Sequence, residues 1–278
     1  MNQSLRETLG QGISKLRDAN VPDPARDARL LLADALQIPI IEVGIAGEAV
    51  VPKDAALRFD KHISERAAHR PVSQIVGLRW FWGRQFIVSS EVLDPRPETE
   101  LIVEMALGGP KAERILDLGT GSGALLLTLL AETPGAVGIG VDKSRAALGV
   151  ARGNALRQSV ADRAMFVLGD WCDAIGGQFD LVVCNPPYIP LAQIRNLDRS
   201  VRDWEPHSAL SEGPTGCESY ERIVPNLPRI LRPGGRALFE IGEDQSERVP
   251  QLLREVGLTD FVVHSDLADR PRCLDISR

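Results

Sequence analysis

The sequence predicts an α/β fold in which a mostly parallel sheet is preceded by a small helical bundle and a β-hairpin. Apolar runs of strand length stand at residues 115–118, 136–141, 164–168 and 179–184. Turn residues bound these runs and helical spacing returns between them, an alternation typical of βαβ units in a parallel sheet. At 278 residues the chain can bury a full core and is expected to split into two domains.

The first domain, predicted at residues 1–72, is a small helical bundle. Apolar residues recur at helical spacing over residues 4–19, 24–36 and 53–69, and prolines punctuate the segments between these stretches. The apolar stripe of the second stretch consists of Leu30, Leu31, Leu32 and Leu36.

Residues 73–94 are predicted to form a β-hairpin that links the two domains. Apolar and polar residues alternate over residues 75–82 and again over 85–88. Three aromatic residues stand in succession at 80–82, and a strand directs neighbouring side chains to opposite faces. At least one of these rings is therefore expected to face a partner domain or the active site.

In the second domain, predicted at residues 95–278, a glycine-rich turn follows the first apolar run. Gly119, Gly121 and Gly123 let the backbone approach a ligand closely, and the next helix presents free N–H groups to an anion. The G-x-G-x-G spacing differs from the G-x-G-x-x-G fingerprint of dinucleotide sites. Asp117 could hold an ammonium group or order the loop. S-adenosylmethionine carries both an ammonium group and a carboxylate, so it fits this turn better than a pyrophosphate.

Two acids further along the chain predict the rest of the cofactor site. Asp142 ends the second apolar run, where its carboxylate could accept hydrogen bonds from both ribose hydroxyls or could instead cap the helix that starts near Ser144. Asp170 and Trp171 follow the third run. Asp170 could accept from the adenine amino group while Trp171 stacks on the ring; the alternative is that the indole only covers the rim of the sheet.

The tetrapeptide Asn185-Pro186-Pro187-Tyr188 follows the fourth run, so it lies at the carboxyl end of a predicted strand, where open α/β sheets bind ligands. The Asn185 side-chain oxygen and the Pro186 carbonyl can accept hydrogen bonds from a substrate NH2 group. The two prolines lack N–H groups that would compete, and Tyr188 offers a flat face to a conjugated group. The pattern favours methylation of a planar nitrogen; the alternative is a Pro-Pro turn followed by an exposed tyrosine.

Composition narrows the class of protein further. The net charge is −6, and because residues 1–75 are balanced, the acidic excess lies in the remainder of the chain. A basic stripe for direct nucleic-acid binding is not expected. The four cysteines lack metal-ligand and C-x-x-C spacing, so we expect no metal and a reducing compartment. No signal-peptide profile and no apolar run near 18 residues is present, so we expect a cytoplasmic protein that does not bind membranes. We also expect it to be a monomer.

Together these motifs resemble those of the release factor glutamine methyltransferases, and the resemblance extends over nearly the whole chain. Residues 77–82 and 96–100 also resemble segments of that family. The resemblance implies a seven-stranded, Rossmann-like class I methyltransferase domain with S-adenosylmethionine as cofactor. It implies methyl transfer to N5 of the glutamine in the Gly-Gly-Gln tripeptide of peptide-chain release factors, a protein methylation that acts in translation termination.

The resemblance also implies roles for individual residues. The residues that it assigns to the methionine end of the cofactor are Gly119, Thr120, Gly121, Ser122 and Gly123. It assigns Asp142 to the ribose, Trp171 to the adenine, and 185–188 to the glutamine amide, with Asn185, Pro186 and Tyr188 as the catalytic residues. Asn185 also borders the cofactor. Arg96 precedes a predicted helix and is a candidate for substrate binding. The alternative is that residues 96–100 serve only to start that helix.

Three alternatives share parts of this pattern. A DNA adenine-amine methyltransferase uses a similar turn but needs a target-recognition insert and a basic surface, whereas segment 189–215 is short and its arginines are offset by acids. Methyltransferases of ribosomal RNA guanine or of a ribosomal-protein glutamine share the same turn. A catalytically silent cofactor-binding module is disfavoured by the intact tetrapeptide. For a protein substrate, we expect the N-terminal bundle to provide the docking unit.

Overall fold

The computed structural model describes residues 3–45 and 47–278. The helices are α1 (Leu5–Asp18), α2 (Pro24–Leu36), α3 (Ile40–Ile45), α4 (Lys53–Ala67), α5 (Val72–Val76), α6 (Glu100–Gly108), α7 (Ala124–Glu132), α8 (Arg145–Arg157), α9 (Arg199–Arg202), α10 (Glu218–Ile223), α11 (Leu227–Ile230) and α12 (Arg248–Glu255). The strands are β1 (Leu78–Phe81), β2 (Arg84–Ile87), β3 (Arg114–Leu118), β4 (Val137–Asp142), β5 (Ala164–Leu168), β6 (Phe179–Cys184), β7 (Leu231–Glu240), β8 (Phe261–Ser265) and β9 (Pro271–Ser277). Short 3-10 turns join several of them.

The chain divides into two compact units. The first runs to Gly77 and also takes in Asp198–Trp204, while the second consists of Leu78–Leu197 and Glu205–Arg278. The boundary at Gly77 lies inside the predicted linker, residues 73–94. The division into residues 1–72, 73–94 and 95–278 as functional domains stays a prediction.

The first unit is a helical bundle whose starts follow from local sequence. Ser4 and Glu7 form a capping box, in which each side chain accepts a hydrogen bond from the backbone N–H of the other at the start of α1. Pro24 occupies the first turn of α2, where its missing N–H costs no hydrogen bond. The three predicted helical stretches correspond to α1, α2 and α4.

The core of this unit forms between α1, α2 and α4. Leu31 and Leu32 of α2 are fully buried, whereas the other two leucines of the predicted stripe are half-buried. Gly12 of α1 permits close approach to α4, because a Cβ at that position would lie 2.5 Å from Cζ of Phe59. A buried ion pair between Arg66 and Asp27, with Nε and Oδ2 2.6 Å apart, joins α4 to α2.

The segment Asp198–Trp204 belongs to the same unit, although it lies far along the chain from the bundle. The Trp204 indole donates to the carbonyl oxygen of Ala68, and the Gln74 side chain donates to the Trp204 carbonyl oxygen. The Arg70 guanidinium lies over the Trp204 ring, 5.5 Å from its centroid. Through these contacts, a segment from the second half of the chain packs with the helical bundle.

The first strand of the hairpin does not start at residue 75, as the alternation over residues 75–82 predicts. Val72–Val76 form helix α5, which ends at Gly77 in the left-handed region with φ 79°. The hairpin consists of β1 and β2, joined by Trp82 and Gly83, both of which have positive φ, as a type I′ hairpin turn requires. Two apolar residues before a glycine are compatible with a strand or with a final helical turn, so the alternation does not locate the start of the hairpin.

The second unit contains a seven-stranded sheet of order β5-β4-β3-β6-β7-β9-β8, which confirms the predicted fold class. Strands β3 to β7 are parallel, whereas β9 pairs antiparallel with both β7 and β8. The order runs outward from β3 in one direction and from β6 in the other. The carboxyl ends of these two strands therefore form the switch point at which such sheets bind ligands.

Helices cover both faces of the sheet. Strand β6 is buried along its whole length, and its side chains alternate between the two cores. Val182 packs in the core that includes Tyr220 and Leu253, and Val183 packs in the core that includes Ile102 and Leu126. Among the described residues, no helix is both long and apolar enough to cross a membrane.

Candidate active site

The glycine-rich turn between β3 and α7 forms one wall of a cavity at the switch point. Gly119, Gly121 and Gly123 have φ values of 73°, 54° and 81°, a region that favours glycine. The N–H groups of Gly119 and Thr120 both donate to the carbonyl oxygen of Val141, at 2.9 Å. The turn is thereby attached to β4 as well as to its own strand.

Asp117 lies at the base of this turn and is almost fully buried. Its Oδ2 accepts a hydrogen bond of 2.6 Å from the Thr120 hydroxyl, so it orders the loop. Its Oδ1 has no hydrogen-bond partner in the described part of the chain. Burial raises the pKa of the Asp117 carboxyl to about 7, and the Thr120 hydrogen bond opposes that shift. A carboxyl group in this position would gain from a nearby cation.

Asp142, at the end of β4, lines the same cavity. Its Oδ2 accepts from the Gly121 N–H at 2.9 Å and its Oδ1 accepts from the Ser144 N–H at 2.8 Å. The N-cap of α8 is Ser144, whose hydroxyl accepts from the Ala147 N–H. Each carboxylate oxygen can accept more than one hydrogen bond, so both can still accept from ribose hydroxyls.

Trp171 and Asp170 form the wall beyond β5. The Trp171 indole lies against the glycine turn, because a Cβ at Gly119 would be 3.2 Å from Cζ3 of the indole. Trp171 has a φ of 47°, and its Nε1–H donates to the two oxygens of Glu212 at 3.2 and 3.3 Å. Asp170 accepts from Arg222 through Oδ2 at 2.6 Å, and its Oδ1 has no partner among the residues that the structure describes.

These acidic groups fit S-adenosylmethionine. Asp117 and Asp170 both line the cavity, on either side of β4, and each keeps one buried oxygen without a described partner. An ammonium group and an adenine amino group are both donors that could satisfy such oxygens. The glycine turn leaves room for the backbone to approach a ligand that lies between them.

The tetrapeptide lies at the end of β6, across from the glycine turn. Asn185 and Pro187 line the cavity. Asn185 Nδ2 donates to the Thr99 hydroxyl at 3.0 Å, and the Thr99 hydroxyl donates to Glu240 Oε2 at 2.6 Å. Tyr188 donates its phenolic proton to the other oxygen of Glu240, at a distance of 3.0 Å. The tetrapeptide is therefore held by two residues that lie outside it, Thr99 and Glu240.

Glu240 ends β7 and is almost completely buried. Burial raises the pKa of its carboxyl group, while the hydrogen bonds from Thr99 and Tyr188 oppose that rise. Burial together with the Glu240 charge raises the pKa of the Tyr188 phenol, so the phenol remains a donor at neutral pH. Gln245 donates to the carbonyl oxygens of both Tyr188 and Gly216, which holds the loop that follows the motif.

Arg96 lines the cavity but its guanidinium is already paired. Nη2 donates to both oxygens of Glu205, at 2.6 and 2.7 Å. Burial raises the pKa of the Glu205 carboxyl to about 7, and the charge of Arg96 opposes that rise. The pair holds Glu205 at the start of the segment that contributes Pro206 and Ser208 to the cavity.

The cavity brings together most of the residues predicted from the sequence. The predicted residues that line it are Arg96, Asp117, Gly119, Thr120, Gly121, Ser122, Asp142, Asp170, Trp171, Asn185 and Pro187. Gly123, Pro186 and Tyr188 lie outside the described lining: Gly123 caps α7, Pro186 is buried, and Tyr188 contacts Glu240. Of the three successive aromatic residues, Phe81 reaches the cavity, as expected of at least one of them.

Sequence reasoning missed four side chains that hold the site. They are Thr99, Glu205, Glu212 and Glu240. The sequence does mark Glu240 as a candidate site residue, because it is an acid that ends an apolar strand, as Asp142 does. Thr99 lies in the segment 96–100, which predicts only a helix start. No local sequence pattern indicates that Glu205 or Glu212 belongs to the site.

Comparison with known proteins agrees with the geometry. The PrmC N-terminal domain family matches residues 7–77, and the methyltransferase small domain family matches residues 80–197. A methyltransferase from Pyrococcus furiosus has a similar fold, with a TM-score of 0.53 at 15% identity over 71% of this chain and 90% of that chain.

Two curated relatives match over almost the full length of the chain. The release factor glutamine methyltransferase of Cereibacter sphaeroides is 46% identical over 96% of this chain and 95% of the relative. The protein of the same name from Rhodospirillum rubrum is 41% identical over 97% of this chain and 84% of the relative. The chain belongs to the release factor glutamine methyltransferase family and uses S-adenosylmethionine as its methyl donor.

Proposed function

We propose that this enzyme transfers a methyl group from S-adenosylmethionine to N5 of the glutamine side chain in the Gly-Gly-Gln tripeptide of peptide-chain release factors. One observation carries the proposal. A single cavity at the switch point of the sheet is lined by the glycine turn, by Asp142 and Trp171, and by Asn185 of the tetrapeptide. The methyl donor and a substrate amide can therefore meet at one place.

The cofactor is assigned to the wall formed by β3, β4 and β5. Asp117 would hold its ammonium group, residues 119–123 its methionine end and Asp142 its ribose, with Asp170 and Trp171 beside the adenine. When bound, S-adenosylmethionine supplies an electrophilic methyl group.

The protein's own groups act on the glutamine amide. An amide nitrogen is a poor nucleophile, and its N–H is too weakly acidic for a side chain to remove before the transfer. Asn185 Oδ1 and the Pro186 carbonyl accept hydrogen bonds from the NH2 group and hold the nitrogen in line for attack. Positioning of this kind can lower a barrier by roughly 7–11 kcal/mol. The same acceptors stabilise the positive charge that develops on nitrogen, which then releases a proton to water.

The helical unit is proposed to bind the release factor away from the tripeptide. Helix α3 exposes the apolar side chains of Ile41 and Ile45, and α4 exposes Leu57. Because Ile41 and Ile45 are four positions apart, they lie on one face of α3, and adjacent exposed apolar side chains favour contact with a protein. A grip on the folded factor would raise the effective concentration of the glutamine loop at the cavity.

Methyl transfer from labelled S-adenosylmethionine tests the substrate directly. Whole release factor, ribosomes and duplex DNA are offered separately, and the labelled residue is located by mass spectrometry. We expect label on the glutamine of Gly-Gly-Gln and none on DNA or on ribosomes. Label on DNA or on ribosomes but not on the factor would contradict the proposal.

A short Gly-Gly-Gln peptide tests the docking role with the intact enzyme. Because the peptide lacks the remainder of the folded factor, we expect a much lower kcat/KM than for the whole factor. Ile41→Glu should raise KM for the whole factor and leave the rate with the peptide unchanged. Equal rates with peptide and factor would remove the docking role while leaving the chemistry intact.

A further inference from the structure

We propose that Thr99 and Glu240 are positioning residues that orient the Asn185 side chain, so that its carbonyl oxygen rather than its NH2 group meets the substrate amide. The inference rests on the proposed function, in which Asn185 accepts from the glutamine NH2. Its basis is a chain of two hydrogen bonds, from Asn185 Nδ2 to Thr99 Oγ1 at 3.0 Å and from Thr99 Oγ1 to Glu240 Oε2 at 2.6 Å.

The direction of this chain follows from which atoms can donate. A carboxylate can only accept, and a hydroxyl carries a single proton. The Thr99 hydroxyl directs its proton to Glu240 and has only lone pairs left for Asn185. The Asn185 side chain must therefore turn its NH2 group toward Thr99, which leaves Oδ1 free to accept from a substrate.

The opposite orientation of the amide is unfavourable because the chain is buried. Thr99 is 5% exposed and Glu240 is 1% exposed, so water cannot replace a missing partner. A flipped Asn185 would place its carbonyl oxygen against the lone pairs of Thr99, and a buried polar atom without a partner is costly. Its NH2 group would then meet the glutamine NH2, and neither group could accept.

The Thr99 hydroxyl serves no other described bond. Thr99 stands at the N-cap position of α6, yet its side chain accepts no capping hydrogen bond. Tyr188 donates to the second oxygen of Glu240, so the carboxylate joins both ends of the substrate motif. The threonine and the glutamate therefore bring the first and last residues of the tetrapeptide into one hydrogen-bonded group.

Paired substitutions test this role. Thr99→Val removes the hydroxyl at nearly constant volume, whereas Thr99→Ser retains it. Thr128→Val is the matched control, because Thr128 is equally buried and its hydroxyl has no hydrogen-bond partner among the described residues. The measurements are kcat and KM with whole release factor and the Kd of S-adenosylmethionine by calorimetry.

Thr99→Val should lower kcat about 10- to 100-fold. Without the Thr99 hydroxyl, Asn185 Nδ2 has no acceptor and the Asn185 side-chain amide is free to turn. KM for the factor and the Kd of the cofactor should stay close to those of the wild-type enzyme, since only the reacting amide loses its alignment. Thr99→Ser should recover most of kcat, and Thr128→Val should match the wild type. An unchanged kcat in Thr99→Val, or an equal loss in Thr99→Ser, would overturn the proposal.

Glu240→Gln provides a second, independent test. A carboxamide has one acceptor oxygen for the two hydroxyls that now donate to Glu240, so kcat should also fall. The double variant Thr99→Val with Glu240→Gln should lose about as much as the worse single variant, because both residues act through Asn185. Losses that multiply would contradict a serial arrangement.

Asn185→Ala separates this inference from the proposed function. If Asn185→Ala is inactive while Thr99→Val is fully active, the amide site stands and the positioning role fails. If Asn185→Ala keeps near-normal kcat, the amide site itself fails, and the positioning role fails with it.

Discussion

The two sides of the cavity are held in place in different ways. On the side proposed to bind the cofactor, the partners at the ends of β3 and β4 are close in sequence: Asp117 bonds to Thr120 three positions away, and Asp142 bonds to Ser144 two positions away. The longest of these side-chain bonds, from Gly121 to Asp142, spans only one β-α-β step of 21 positions. These two strand ends carry their own partners, whereas Trp171 and Asp170 beyond β5 bond to residues 41 and 52 positions away.

On the side proposed to bind the substrate amide, which we call the substrate side, partners are far apart in sequence. The bond between Asn185 and Thr99 joins residues 86 positions apart, and the bond between Thr99 and Glu240 joins residues 141 positions apart. The tetrapeptide therefore depends on the assembly of β6, β7 and the start of α6. Damage to the substrate side should affect turnover, and damage to the cofactor side should affect cofactor affinity.

The largest effect is expected for Asn185→Ala. It removes the acceptor for the substrate amide, so kcat should become nearly undetectable while the Kd of S-adenosylmethionine changes little. Single-turnover transfer to whole release factor and calorimetry measure the two quantities. A near-normal kcat would show that the substrate side does not position the amide.

Gly216→Ala should be the next most damaging change. A Cβ at this position would overlap the carbonyl group of Tyr188, and the φ of 76° would strain any other residue. We expect a lower Tm and a strong loss of kcat. Gly257→Ala is the matched control, since Gly257 has a φ of 82° but open space around it. The control should lose stability by roughly 1 kcal/mol or more through strain and keep its activity.

Asp142→Ala tests the cofactor side. It should weaken the binding of S-adenosylmethionine by roughly 1.5–3 kcal/mol, the value of a hydrogen bond to a charged acceptor. Because the contacts are local, kcat at saturating cofactor should change far less than in Asn185→Ala. Calorimetry that finds unchanged affinity in a folded variant would remove Asp142 from the site.

The smallest expected effect is a pH dependence at Asp117. Its pKa of about 7 in the free protein means that the carboxyl is protonated below that pH, and an ammonium ligand favours the ionised form. Affinity for S-adenosylmethionine should therefore fall as pH is lowered through about 7, by up to about tenfold per pH unit. Asp117→Asn should lose this dependence. An affinity that does not vary over this range in the wild-type enzyme would exclude ammonium binding by Asp117.

The same raised pKa has a consequence for the stability of the free protein. A carboxyl group whose folded pKa lies above its ordinary value of 3.8 favours the folded state most when it is protonated. This contribution is present below about pH 4 and is lost as pH rises through about 7. Bound cofactor should offset that loss, because the carboxylate then has a cationic partner.

Most of the fold was predictable because the patterns that encode it are local. Strands β3, β4, β5 and β6 appear as apolar runs ended by turn residues, and helices α1, α2 and α4 appear as periodic stretches. The sequence does not locate the start of the hairpin, because the five residues of α5 are too few to show a helical period. The placement of Asp198–Trp204 with the helical unit was not foreseen, since it depends on Trp204 meeting residues more than a hundred positions earlier.

The sequence by itself determined the family, the glycine-rich turn and the position of the tetrapeptide at the end of a parallel strand. In these parts the chemistry lies in consecutive residues, and the carboxyl ends of parallel strands must meet at one edge of the sheet. Only the tertiary structure decided which partners orient them: Thr99 and Glu240 for Asn185, Glu205 for Arg96, and Glu212 for Trp171. A buried polar group must find a partner wherever the folded chain offers one, and partners 41 to 141 positions apart leave no periodicity or spacing in the sequence.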